Sequence, residues 1–252
     1  MKMSEKITYL IAIAGAIICF VGDNLLGYFV PSAEFGNMLL CVNFSYDWAN
    51  VNPIRFVIAG LCGVVSLLMM FAGFYGIYSR IKKDKTMSKA YLLASFVFVS
   101  VGTLYHNVFA IAAYIYNRLV NGGIGNAEAL TLEVFNTFIL VSLLAALGYT
   151  AMVVIMFIEA VRGNLYPYKW MCIINLAFFM IICILLSKIL PQTAFVNGVF
   201  DLGQQNVGLF IVFITLYLTN SYTRGTRKIS KEDGAIRMKK DYEFGKVLSF
   251  TK

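Results

Sequence analysis

The sequence predicts an all-α integral membrane protein, a bundle of six transmembrane helices with the N and C termini cytoplasmic. Three observations carry that prediction. Apolar residues make up 60% of the 252-residue chain and charged residues only 13%, against about 25% charged in an ordinary soluble domain. Mean hydropathy is +0.75. Six apolar runs reach the roughly 20 residues that a helix needs to cross a bilayer core of about 30 Å. A soluble enzyme, a disordered chain and a disulfide-stapled secreted domain do not fit this balance.

The runs fall at about 7–30, 54–78, 90–117, 132–161, 169–190 and 203–220, and together form one transmembrane domain over 1–220. Basic residues from Arg80 to Lys85 break the second run from the third. The glycine-rich stretch Asn121-Gly122-Gly123-Ile124-Gly125-Asn126 follows the third and has no helical period. Arg162 to Pro167 follows the fourth, and Pro191 closes the fifth. The runs are long and continuous, not alternating, so helices are expected and a barrel is not.

Orientation follows from the basic residues. Eighteen of the 21 Lys and Arg lie before the first run, in the second break, around the fourth break or in the tail; the other three are Arg55, Arg118 and Lys188. The basic side is read as cytoplasmic, and the overall charge of +8 then needs no nucleic acid to explain it. The expected location is a bacterial plasma membrane. Lys2 and Lys6 resemble the start of a signal peptide. The first run is too long for one, and Asp23 and Asn24 stand where a cleavage site would be.

Five cysteines, Cys19, Cys41, Cys62, Cys172 and Cys183, form no CxxC motif. Four of them lie inside apolar runs, so they read as small packing residues rather than a disulfide framework or metal site. No internal repeat is visible. All four prolines, Pro31, Pro53, Pro167 and Pro191, stand at run ends, so no span shows the central break of an ion-coupled transporter.

An ionisable group inside a bilayer is costly and therefore a functional candidate. At about 1.5 Å of rise per residue, Asp23 falls roughly 7 Å, and His106 and Asn107 roughly 4–5 Å, to the outer side of the midplane. Gln204 and Gln205 fall at roughly 10–11 Å, Lys188 at roughly 13 Å and Asn136 at roughly 15 Å. Arg55, Glu133 and Asp201 mark the outer rim. The expected picture is an outward-facing polar pocket lined by Asp23, Asn24, His106, Asn107, Tyr114, Asn136, Gln204 and Gln205. Arg55, Glu133, Lys188 and Asp201 form its rim. Thr103, Asn107, Ala110, Tyr114 and Asn117 share one helical stripe, which His106 borders. Gly15, Cys19, Gly22 and Asp23 share a face whose small residues admit a close neighbour.

Each residue also has a plainer structural role open to it. Asp23 and His106 can simply satisfy each other or a neighbour. Asn107 and Asn136 can be interhelical hydrogen-bond residues, and Lys188 can snorkel from a helix end. Joint placement on one side favours the site reading.

One histidine excludes a three-histidine zinc site and paired-histidine haem ligation, and no metal or cofactor is expected. No GxSxG, HExxH or phosphate-binding loop motif occurs. The candidate catalytic residues, should there be catalysis, are Asp23 and His106. The 31–53 loop, with Met38, Leu39, Leu40, Phe44, Tyr46 and Trp48, reads as a short interfacial helix or lid, or as a plain loop. Residues 221–252 read as a basic cytoplasmic tail. In it, Arg224, Arg227, Lys228 and Lys231 either meet anionic lipid or serve only as a topology signal.

Three functions remain open. The first is a binder or transporter of a small or lipid-like ligand. The second is a membrane-embedded enzyme acting on a lipid or isoprenoid through an Asp23–His106 acid–base pair. The third is a structural or regulatory subunit. Membrane lipids are the expected surroundings in all three.

Overall fold

The computed structural model describes residues 5–30, 34–37, 42–81 and 84–232; side chains are described for these except at 36–43, 169 and 221–232. Helices dominate: α1 Glu5–Gly27, α2 Ile54–Ile81, α3 Lys85–Asn121, α4 Ala127–Thr137, α5 Ile139–Val161, α6 Leu176–Ile189, α7 Ala194–Val196 and α8 Gln204–Glu232. A two-stranded antiparallel hairpin, β1 Glu34–Asn37 and β2 Val42–Ser45, pairs Phe35 with Phe44. A 3-10 turn at Tyr46–Asn50 follows it.

α1, α2, α3 and α5 are each long and apolar enough to cross a membrane. A π-turn at Asn197–Leu202 links α7 to α8, and this pair, bent by 63°, qualifies as a fifth crossing if taken as one span. The chain is thus an all-α membrane protein.

Two of the apolar runs have a different shape from the continuous helices expected of them. The 132–161 run is interrupted at Phe138, whose backbone (φ −103°, ψ 18°) leaves the helical basin between α4 and α5. α4 carries the polar Glu133, Asn136 and Thr137 on its exposed side, so it gains nothing from entering hydrocarbon, and α5 is long enough alone. The 169–190 run begins as a 3-10 turn at Lys169–Ile173, and the Asn175 side chain caps α6 by accepting from Ala177 N at 2.9 Å. Asn175 therefore fixes the start of α6 seven residues late. What remains has 14 residues, about 21 Å of helix.

Packing is inverted relative to a soluble protein. Leu61, Leu68, Leu93, Leu140 and Leu147 are exposed, while the closest helix seams are lined by small residues. The α1–α2 seam shows why. Thr8 and Tyr9 lie over Gly76, Ala12 over Gly73, Gly15 against Ser66, and Gly22 against Cys62. This repeat of about 3.5 residues is the spacing of a left-handed antiparallel pair. Cys19, Cys62, Cys172 and Cys183 are free thiols; Cys41 lies outside the described residues. Lys6 of α1 sits over the Tyr217 ring of α8 at 5.6 Å. Asn220, with its amide oriented as its neighbours require, donates to Glu5 Oε2 at 2.7 Å. The start of α1 and the 217–220 turn of α8 therefore share one end of the bundle.

At the other end, the C-terminal carbonyls of α1 are collected by side chains from three segments. Arg55 Nε donates to Leu25 O (3.1 Å), Trp48 Nε1 to Leu26 O (2.9 Å) and Asn197 Nδ2 to Gly27 O (2.7 Å). A helix end leaves such carbonyls without intrahelical partners, so these bonds also tie the post-α1 loop, α2 and the π-turn together. The 42–50 segment packs as a hairpin strand and 3-10 turn where a short helix was one expectation. Phe44 and Trp48 are buried against Phe109 at 5.4 and 5.5 Å between ring centroids. Met38, Leu39 and Leu40 lie outside the described residues. Asn117 Nδ2 reaches Trp48 O (2.6 Å) and Val51 O (2.9 Å), anchoring this cap to α3. A hydrogen bond to the Glu128 carboxylate at the start of α4 holds the Tyr46 phenol above its ordinary pKa.

Burial makes the cap measurable. Trp48 is 3% exposed and Trp170 62%. In a Trp170→Phe background the remaining emission is expected to be blue-shifted relative to hydrated indole. Asn117→Leu, which leaves those carbonyls unpaired at about 1–3 kcal/mol each, is expected to move it to the red. Fully hydrated emission before the second substitution would contradict the packed cap.

Candidate functional site

Asp23 reaches the bundle interior because the face it shares on α1 is small. A Cβ on Gly22 would stand 2.9 Å from Cys62 Cβ, so only glycine lets α1 and α2 approach this closely. Asp23 is 17% exposed. Its Oδ2 accepts from Asn206 Nδ2 of α8 at 2.5 Å, and its Oδ1 lies 3.8 Å from His106 Nδ1 of α3. The latter is an ion-pair separation, longer than a hydrogen bond.

His106 Nε2 lies 3.1 Å from Ala59 O of α2. A carbonyl only accepts, so Nε2 carries a proton. Nδ1 then faces Asp23, and the pair can hold a further proton either as imidazolium and carboxylate or on the carboxyl group. The ring occupies this place because Gly63 has no side chain: a Cβ there would come within 2.5 Å of His106 Cγ. Four helices thus meet at one buried polar centre.

This centre forms part of the wall of a cavity of about 610 Å³. Cys19, Asp23 and Leu26 of α1 and Leu67 and Met70 of α2 line it, with Phe98, Tyr105, His106 and Phe109 of α3. Ser142, Ala145, Ala146, Tyr149 and Thr150 of α5 face Met180 of α6 across it. Asp201, Gln204, Gln205, Asn206 and Leu209 complete it from the π-turn and α8. The residues lining it include two carboxylates and one histidine but neither Lys nor Arg. Gln204 Nε2 donates to Asp201 O at 2.9 Å, while Gln204 Oε1 and Ser142 Oγ are buried without a partner.

Of the candidates from the sequence, Asp23, His106, Gln204, Gln205 and Asp201 line this cavity. Others stand elsewhere. Asn107 donates to Thr103 O within α3 at 2.9 Å and turns its Oδ1 toward Gly60 of α2. Asn24 donates to Phe20 O and packs its Oδ1 on Gly198. Arg55 serves the end of α1. Tyr114, Asn136, Glu133 and Lys188 are exposed and do not line the cavity. Glu133 is therefore not available to the Asp23–His106 pair as a third metal ligand. Among the described residues no group of three His, Cys, Asp or Glu could hold a metal ion.

The sequence reading missed Asn206, the closest partner of Asp23, although it stands in the run Gln204-Gln205-Asn206. It also missed Ser142, Tyr149 and Thr150. They stand at i, i+7 and i+8, one face of a single helix, so their stripe was legible in the sequence itself.

No curated protein and no solved structure matches the chain significantly. A family model does match, over residues 1–223, which takes in the cap, the cavity and every helix up to the start of the tail. The chain therefore belongs to a family of unknown function (DUF6796).

Proposed function

We propose that this protein binds or carries a small or lipid-like ligand in the cavity beside Asp23 and His106. The observation that carries the reading is the cavity itself. Its volume of about 610 Å³ lies within the range of drug-sized ligand sites, and a fully apolar packing role for its walls would not need Asp23, Asp201, Gln204 and Ser142 there. An acid–base role for Asp23 and His106 on a lipid or isoprenoid is the second reading, favoured by their 3.8 Å approach. Against it, both His106 nitrogens already face protein groups, so proton delivery to a substrate would need the ring to turn.

The arrangement that goes with this function is six crossings in a bacterial plasma membrane, with both termini cytoplasmic. The crossings are α1, α2, α3, α5, α6 and the bent α7–α8 pair. An even number is supported by the contact of Lys6 with Tyr217, and the orientation by the distribution of Lys and Arg. The cap then lies outside, and Arg224, Arg227, Lys228 and Lys231 meet anionic lipid at the inner leaflet.

Native mass spectrometry of the purified protein tests the function. The wild type is expected to retain a small ligand that Ala146→Trp, which fills the cavity, loses. Equal retention by both, or by neither, counts against the reading. Cysteine labelling in a cysteine-free background tests the topology. Gly125→Cys is expected to react from outside intact cells and Thr86→Cys only after permeabilisation; the reverse pattern would overturn the orientation.

A further inference from the structure

Resting on that reading, we infer that the ligand is a single-chain amphiphile with a protonated amine, and that it enters sideways from the bilayer between α5 and α6. Apart from His106, the charged groups in the cavity's polar wall are carboxylates. Asp23 and Asp201 are carboxylates, and Gln204 presents an unpartnered amide oxygen. Ser142 Oγ, 7% exposed as a residue, is also without a partner and accepts as well as donates. Buried polar atoms are normally paired; the Gln204 oxygen lacks a donor, and the Ser142 hydroxyl lacks any partner and can accept from one. An ammonium group supplies donors and a positive charge together. An anionic head group would bring further acceptors and a like charge beside two carboxylates, with no Lys or Arg lining the cavity to receive it. Tyr105 and Phe109 also line the cavity, and aromatic rings attract cations.

The apolar part of the cavity gives the direction. α5 packs mainly on α3 and α6 mainly on α8, and direct packing between α5 and α6 is slight among the described residues. Tyr149 OH donates to Met180 Sδ at 2.6 Å across the gap; a thioether is a weak acceptor and an easily parted latch. Ala146 and Thr150 line the cavity and are exposed on the outer flank of α5. The cavity therefore reaches the lipid-facing side there, while its two carboxylates and the Gln204 amide lie at the α1–α8 side. An amphiphile with its amine at Asp23 leaves its chain pointing to the gap.

The test uses the full-length protein in nanodiscs of zwitterionic phosphatidylcholine, with tetradecylamine, tetradecanol and tetradecanoic acid as probes. Native mass spectrometry reads stoichiometry and affinity. Tetradecylamine is expected to bind one to one and the acid not to bind. Asp23→Asn is expected to weaken the amine at least about tenfold, the scale of one charge-assisted contact. Asp47→Asn, on the cap and outside the cavity, is expected to leave it unchanged. If Asp23→Asn fails to fold, Asp201→Asn carries the same comparison. Acid binding equal to amine binding, or an amine affinity indifferent to both substitutions, overturns the inference. Should the alcohol and acid bind as well as the amine and Ala146→Trp abolish all three, ligand binding survives and the amine assignment fails. Should no probe bind and Ala146→Trp change nothing, both fail.

Discussion

Replacing Gly73 by leucine is expected to abolish recovery of a monodisperse protein, or to lower its melting temperature by more than any other single change in the α1–α2 seam. A Cβ at this position would already collide with Ala12 of α1, and would stand 2.6 Å from Phe213 Cε1 of α8. Three helices converge there, so no single neighbour can move to make room. Overpacking a well-filled core costs about 1–3 kcal/mol and more where backbone must shift, and here two helix axes must separate. Gly125→Leu is the matched control, since nothing lies within 4 Å of a Cβ at Gly125. Size-exclusion profiles and thermal melts in detergent read the difference. Similar melts for the two variants would show that the seam is looser than the structure has it.

The second large effect is expected at Arg80. This residue is 5% exposed. Nη1 donates to Leu165 O (3.2 Å) after α5 and Nη2 to Leu216 O (2.9 Å) in α8, and the guanidinium stands over the Tyr9 ring at 5.2 Å. One planar cation thus joins α1, α2, α8 and the segment after α5. Arg80→Met keeps much of the side-chain volume and removes the donors, so it isolates the hydrogen bonds and charge from packing. A loss of about 3 kcal/mol is expected, two charge-assisted bonds at about 1.5 kcal/mol each. Arg80→Lys should recover only part of it, because an ammonium cannot reach both carbonyls with the geometry of a planar fork. An unchanged melting temperature in Arg80→Met would mean that the buried charge contributes nothing net, as happens when desolvation offsets attraction.

Arg80 also shows where sequence reading reaches its limit. In the sequence it is one basic residue in a basic break, indistinguishable from its neighbours Lys82, Lys83 and Lys85. Only the approach of α8 and the loop after α5 makes it an interior residue. Asn117 behaves likewise. It sits on a stripe of polar residues that points to a site, yet its amide is committed to the cap. Asn107, on the same stripe, turns toward α2 rather than toward Asp23. Helical spacing assigns a face to a residue, but not which neighbour occupies that face, and in a bundle each helix has several.

Asp23 was legible for a different reason. A carboxylate on a face of Gly15, Cys19 and Gly22 can only point at a closely packed neighbour, because lipid offers a charge nothing and small residues invite contact. The partner was not legible. Asn206 lies 183 residues away, in a helix whose phase is set by the π-turn before it.

The sequence by itself determined the membrane class and the apolar length of most of the helices. These properties depend on composition and local run length, which the bilayer imposes on each segment separately. Tertiary structure decided the burial of Arg80 and Trp48 and the meeting of Asp23, His106 and Asn206. Each of these depends on groups distant in the chain satisfying one another's hydrogen bonds, or on a missing side chain, as at Gly22 and Gly63, leaving room for another helix. No local pattern encodes the identity of such a partner.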